Sequence, residues 1–150
     1  MFYRFLYLGF KIYCFLSRPI RMGVRVVMIE DGKAWLVRHT YLPGWYLPGG
    51  GLKKWESLDQ AARREAREET GAELGEITLL GIFTSYAQWK TDHTSVFLCK
   101  DFKFIGGSDA EIAEMRSFPI NELPESMYIV HRNLLTKYSE GNIKSNYGEW

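Results

Sequence analysis

The chain reads as an α/β domain in which a mixed sheet lies between helices. Three observations carry this reading. A β-branched, apolar run at residues 21–30 turns at Asp31-Gly32 into a second apolar run at 33–39. A polar stretch at 57–70 has helical spacing with its own start and stop signals. Two more strand-like runs and a last helical stretch follow, and such alternation is what a sheet covered by helices requires. At 150 residues the chain is long enough for one domain with a proper core. Apolar residues at 46% against 25% charged fit a soluble globular composition and exclude a disordered one.

Residues 2–16 are almost wholly aromatic and aliphatic, and Ser17-Arg18-Pro19 ends the run, since Pro disfavours helix in the residue before it. Arg4 and Lys11 make the segment too charged, and its length too short, to span a bilayer. It also lacks the uninterrupted apolar stretch and small-residue cleavage site of a secretory signal. Arg4, Lys11 and Arg18 fall seven apart, on one stripe of an amphipathic helix over 1–18. Three readings stand open: packing on the chain's own domain or on the partner in a homodimer, lying on an anionic membrane surface, or an artefact of the chosen start codon.

The main domain is expected over 19–141. Arg21 to Glu30 forms a buried strand, Asp31-Gly32 is a two-residue hairpin signal, and Lys33 to His39 returns. Thr40 to Gly44 is a loop, and Trp45-Tyr46-Leu47 a short strand feeding the glycines at 49–51. The helix at 57–70 starts at Ser57, with Gln60 three residues on as its capping-box partner, and stops at Gly71. Leu58, Ala61, Ala62 and Ala66 make its apolar stripe, small enough to let it lie close on a sheet. Strands follow at 76–87 and 94–104, separated by a polar, aromatic loop at 86–93. A second loop holds Gly106 to Asp109, Glu111 to Phe118 is a loop entering a strand, and Met127 to Tyr138 is a terminal helix. The tail, 142–150, reads as frayed, with Trp150 able to dock.

Net charge is +1, which gives no general attraction for nucleic acid, so no such partner is expected. The charge is uneven. Residues 1–29 hold five of the 19 Lys and Arg and no acid, so the basic excess is all N-terminal. Cys14 and Cys99 form neither a disulfide framework nor a metal motif, and a reducing cytoplasm is the default, with membrane association the alternative.

The chemistry concentrates after the glycines. Glu65, Glu68 and Glu69 are spaced i, i+3, i+4, so on a helix they point one way. Like charges so placed repel by roughly 0.2–0.5 kcal/mol per pair, and a helix C-terminus disfavours anions further. A hard divalent cation removes both penalties, because carboxylate oxygens and water are what Mg²⁺ or Mn²⁺ takes.

Read from Gly50, the stretch runs through five residues to Glu56, then seven to Arg64-Glu65, Ala66, Glu68-Glu69, Gly71 and Ala72. This resembles the box of the Nudix hydrolase family, complete at every fixed position; residues 1–18 lie outside the resemblance. The resemblance implies the α/β/α Nudix sandwich, and hydrolysis of a diphosphate linkage in a nucleoside diphosphate joined to another group, with Mg²⁺ or Mn²⁺ as cofactor. It implies Glu65 and Glu69 as main metal ligands and Glu68 as a direct or water-mediated one. The Gly49 carbonyl completes the shell, and Glu56 is a further ligand or partner. Arg64 becomes an internal ion pair that orients a glutamate. An acidic residue far from the box serves as base or extra ligand in several members. Here Glu114 is preferred and Glu111 is the second candidate.

Recognition of the small-molecule nucleotide substrate is assigned more openly. Trp45 and Tyr46 flank the glycine turn and are candidates to stack on a base, with core packing the competing role. His39, Tyr86, Trp89 and His93 are candidates for the same cleft, and Lys53 and Lys54 for substrate phosphates. Relatives commonly carry Gly before the first box glutamate, where this chain has Trp55. The proline expected downstream in ADP-ribose pyrophosphatases is missing between Ala72 and Phe118. A compact domain of this size is similar to the mutator-type enzymes that convert a nucleoside triphosphate to a monophosphate and pyrophosphate. The rivals are a dinucleoside polyphosphate hydrolase, a hydrolase of lipid-linked diphosphates at a membrane surface, and a nucleotide sensor without turnover.

Overall fold

The computed structural model describes residues 2–86, 89–143 and 147–150. The elements in chain order are α1 (Phe2–Ser17), β1 (Ile20–Glu30), β2 (Lys33–His39), α2 (Leu58–Thr70), β3 (Ala72–Leu74), β4 (Ile77–Ser85), β5 (Thr91–Cys99), β6 (Phe102–Phe104), β7 (Ile112–Pro119), α3 (Ile129–Ser139) and β8 (Tyr147–Glu149). Six strands form one mixed sheet in the order β7-β2-β1-β5-β4-β8, and β3 pairs with β6 in a separate ribbon. β1 and β5 run parallel from Ile20↔Thr91 to Met28↔Cys99, while β4–β5 and β2–β7 are antiparallel.

β1 is buried on both faces from Val26 to Ile29, which explains the apolar run there. Val24, Val26 and Met28 pack with Ala61, Ala62 and Ala66 of α2; Val27 and Ile29 pack with Leu134 and Leu135 of α3. The sheet is therefore the middle layer of an α/β/α sandwich. All three alanines of α2 are completely buried, so the helix sits tight on the sheet. Ser57 and Gln60 form the expected capping box, and Gly71 ends the helix in the left-handed conformation.

β1 and β2 pair only beside their hairpin, at Ile29↔Ala34 and Glu30↔Lys33. Beyond it, residues 45–52 fill the split. The Val24 and Val26 amides donate to the Gly50 and Pro48 carbonyls at 2.9 and 2.8 Å, and Val37 exchanges two bonds of 2.9 Å with Tyr46. Trp45 and Tyr46 thus make isolated bridges, and residues 45–47 do not form the short strand expected. This wedge presents the glycines to the C-terminal end of α2.

Other differences are local. β5 begins at Thr91, so Thr91, Asp92 and His93 belong to a strand and not to the loop; Ala87 and Gln88 lie outside the described residues. The 94–104 run breaks at Lys100-Asp101, which frees β6 to pair with β3, a three-residue strand too short to carry a pattern. The end of the tail is not frayed. β8 pairs parallel with β4, and Trp150 stacks near Phe83 and His131 at centroid distances of 5.1 and 5.6 Å.

Candidate active site

Gly49 has φ 141°, and a Cβ there would lie 2.2 Å from the Val24 carbonyl oxygen, so only glycine fits. A Cβ on Gly50 would lie 2.6 Å from the Glu65 carboxylate. These two glycines bring backbone against the acidic face of α2. The Gly49 amide donates to Glu69 Oε2 at 2.8 Å. Its carbonyl accepts from Arg25, which also donates to the Leu47 carbonyl at 3.1 Å.

Arg64 organises the other glutamates. It donates to Glu56 Oε1 at 2.6 Å and Oε2 at 2.9 Å, to Glu65 Oε1 at 2.7 Å, to Glu68 Oε2 at 2.9 Å and to the Gly51 carbonyl at 3.1 Å. Those bonds, led by the one to Glu56, raise its pKa beyond the ordinary arginine value. In return Arg64, with the Lys53 amide, holds Glu56 down at about 2.

Glu56, Glu65 and Glu69 are all largely covered, with side chains 12% to 13% exposed. Burial pushes Glu69 up to about 8, helped by Glu65 and Glu111 and opposed by Arg25 and the Gly49 amide. Burial also raises Glu65, against the pull of Arg64. His39 Nε2 stands 3.8 Å from Glu69 Oε1, beyond hydrogen-bond reach. Burial, with Arg25 nearby, lowers His39 to about 4, so it is neutral at pH 7.

A cavity of about 590 Å³ opens over this cluster. Arg25, Gly49, Glu65, Glu69 and Glu111 line its floor, and Tyr41, Tyr46 and Tyr128 its wall. Leu6, Tyr7 and Phe10 of α1 close another side. Tyr46 stacks on Tyr128 at 5.6 Å, and Tyr41 donates to Glu111 Oε2 at 3.4 Å. Tyr41 is raised to about 12, by burial first and by Glu111 and Glu69 after it.

Of the two acidic candidates, Glu111 immediately precedes β7 and Glu114 lies within it, opposite Arg38. Glu111 faces the cluster. Glu114 is paired with Arg38 at 2.7 Å and with Arg116, and lines a different cavity, beside Trp45. Placement therefore favours Glu111, the reverse of the expected order. Trp45 is buried in the core, edge-on to Phe118 at 4.9 Å, so core packing is its role. Tyr46 and His39 are in the cavity wall. Tyr86 is exposed and Lys53 pairs with Glu68 at 3.3 Å; neither lines the cavity. His93 bonds Thr84 Oγ1 at 2.9 Å, within the sheet. Trp89 meets Phe15 of α1 edge-on. Arg25, Tyr41 and Tyr128 were missed. The signal for Arg25 was available, as the only charge inside Val24-Arg25-Val26-Val27.

Among the described residues, no three His, Cys, Asp or Glu side chains are gathered into a ready metal group. Arg64 spreads Glu56, Glu65 and Glu68, and Arg25 takes the Gly49 carbonyl. The donor set nevertheless fits a hard cation. Glu65, Glu69 and the Gly49 carbonyl offer only oxygen, and burial raises both acids even though Arg64 bonds Glu65 and Arg25 stands near Glu69.

Comparison with known proteins agrees with this geometry. The NUDIX domain description matches residues 19–138. RNA pyrophosphohydrolase of Caulobacter vibrioides is 45% identical over 65 residues, 41% of this chain and 37% of that protein. The Xanthomonas campestris RNA pyrophosphohydrolase is 34% identical over 71 residues, 47% and 35% of the two chains. The chain thus spans little more than a third of the length of these relatives. A MutT NUDIX hydrolase from Burkholderia pseudomallei superposes with TM-score 0.69 at 25% identity, covering 78% of this chain and 96% of that one. A UDP-X diphosphatase gives TM-score 0.69 at 30% identity, over 85% and 66%. With the box folded as described and the match extending across residues 19–138, the chain belongs to the NUDIX family.

Proposed function

We propose that the protein is a divalent-metal-dependent pyrophosphohydrolase acting on a nucleoside diphosphate joined to another group, first a nucleoside triphosphate cleaved to monophosphate and pyrophosphate. The observation that carries this is the pair of largely covered carboxylates, Glu65 and Glu69, set against the Gly49-Gly50 backbone under an aromatic cavity. Glu65, Glu69 and the Gly49 carbonyl would hold Mg²⁺ or Mn²⁺, with Glu56 and Glu68 as reserve ligands. Bound there, the cation supplies Lewis-acid stabilisation of phosphoryl oxygens and a lowered pKa for water.

The chain's own residues do the rest. Arg64 fixes the orientation of Glu56, Glu65 and Glu68 through its fork of bonds. Glu111 Oε2 is the proton acceptor best placed to take a proton from water as it attacks phosphorus, and Tyr41 OH holds that carboxylate in place. The new P–O bond forms as the bridging P–O bond breaks, and the pyrophosphate leaves with the bridging oxygen. Arg25 and Arg21, both in the cavity lining, offset phosphate charge. The Tyr46–Tyr128 stack offers a flat face to a base, a contact worth about 1–3 kcal/mol where measured by truncation.

A second reading is supported by the matched relatives, which are RNA pyrophosphohydrolases. It makes the substrate a 5′-triphosphorylated RNA end. The test is phosphate and pyrophosphate release with Mg²⁺ and Mn²⁺ across a panel. The panel holds nucleoside triphosphates, dinucleoside polyphosphates, nucleotide sugars, triphosphorylated RNA and a lipid-linked diphosphate. Turnover of nucleoside triphosphates over the others is the expected result. Preference for the RNA moves the reading to RNA ends. Metal binding without turnover of any member makes the protein a sensor.

A further inference from the structure

We propose that α1 is an interfacial anchor that seats this protein on an anionic membrane surface. The helix lies outside the matched domain, and it is attached by one face only. Cys14 is completely buried, and Tyr7 and Phe10 are half-buried beside it. Tyr7 meets Tyr41 at 5.9 Å, while the Arg21 guanidinium lies 4.9 Å from the Phe10 ring. Over the rest of its circumference α1 shows large apolar side chains to solvent. Leu6, Leu8, Ile12, Tyr13, Phe15 and Leu16 are all more than half exposed, from 52% to 75%. At 100° per residue these six fall on one continuous arc of about half the helix. Ile20, 77% exposed, and Trp89, edge-on to Phe15, extend the patch beyond the helix.

Charge selects the occupant. Lys11, Arg18 and Arg21 border the arc, and residues 1–29 contain no acid. Lys11 lies over Tyr7 at 4.9 Å and Arg18 over Trp89 at 5.9 Å, which keeps the cations at the edge of the apolar face. A second copy docked on this face by a twofold axis would bring like charges together with no acid of α1 to meet them. Anionic headgroups would meet them, and acyl chains would take the apolar arc. No described helix is long and apolar enough to cross a membrane, so α1 lies along the surface. Because Leu6, Tyr7 and Phe10 also line the candidate active site, the anchor would set the cavity mouth near the interface.

The test is co-sedimentation of the full chain with phosphatidylcholine vesicles, with and without phosphatidylglycerol, alongside light scattering in solution. The double variant Ile12→Glu, Leu16→Glu changes only exposed positions of α1. The wild type should pellet with phosphatidylglycerol vesicles at low salt, be released by high salt and stay in solution with phosphatidylcholine alone. The double variant should bind at least tenfold more weakly, with an unchanged melting temperature. No pelleting by the wild type, equal pelleting by both vesicle types, or retained binding in the double variant would overturn the proposal. So would a wild-type dimer that the double variant turns into monomers, since the face would then be a self-interface. Vesicle binding is read without turnover, so its failure leaves the hydrolase reading untouched.

Discussion

Glu69 sits between two chemistries. Buried as it is, its carboxyl is raised to about 8, yet it lies beside the Gly49 backbone where a cation would make it an anion. The neighbouring acids differ by the company they keep. Glu111 shares the cavity with Glu69 and has Tyr41 as a donor, whereas Glu114 is neutralised by Arg38 and Arg116 on another surface. Glu111→Gln should therefore lower kcat by about 10²-fold or more, and Glu114→Gln by less than a few-fold. Steady-state kinetics on the best panel substrate checks this, and the reverse order would return the base to Glu114. Trp55 is a different kind of residue. It holds φ 65° and its side chain is fully exposed, so it carries the left-handed penalty with no packing in return. Trp55→Gly should raise stability by about 1 kcal/mol, read as a higher denaturation midpoint. A loss would mean the indole has a partner in solution.

The element that makes the site is α2, held by a capping box at one end, a left-handed Gly71 at the other and three alanines between. Its seat leaves no room for larger side chains. Ala62→Leu should cost about 1–3 kcal/mol by overpacking against β1, measured by chemical denaturation. It should also lower activity, because the glutamates would move away from Gly49. Little or no loss would show that the helix is not pinned by that face. This element was legible because cap, stripe and acids are all local in sequence. The wedge at 45–52 was not. Its residues bond to β1 and β2 in place of forming a strand, and that depends on where β1 and β2 part, which no residue of the wedge encodes. Glu111 and Glu114 were hard to rank for a similar reason. A bulge where β2 pairs with β7, between Arg38 and His39, falls beside them and upsets simple alternation.

For the whole molecule, the fold class followed from apolar periodicity, while the outer edge did not. β8 and the docked Trp150 depend on an open edge at β4, and a three-residue strand carries no pattern of its own. The buried titratable groups give the molecule a pH signature. Glu69, raised from 4.5 to about 8, binds its proton more tightly folded than unfolded, so its contribution to stability falls as pH rises through that range. His39, lowered from 6.5 to about 4, acts in the opposite sense, and only below pH 6.5. Between pH 6.5 and 8 the carboxylate acts without that opposition. The melting temperature of the metal-free protein should fall across this window, and saturating Mg²⁺ should remove the slope by binding the folded anion. A flat metal-free profile would contradict the raised Glu69.

In the proposed mechanism Glu65 and Glu69 hold the cation that hydrolysis needs. The most direct measurement is the Mg²⁺-dependent rate of Glu69→Gln beside the wild type. Gln keeps the size of the side chain and can still accept from the Gly49 amide, so the melting temperature at pH 7 should hold. Its kcat/KM should fall by about 100-fold or more, with weakened Mn²⁺ binding. A variant that keeps wild-type rates and the same metal dependence would contradict that mechanism.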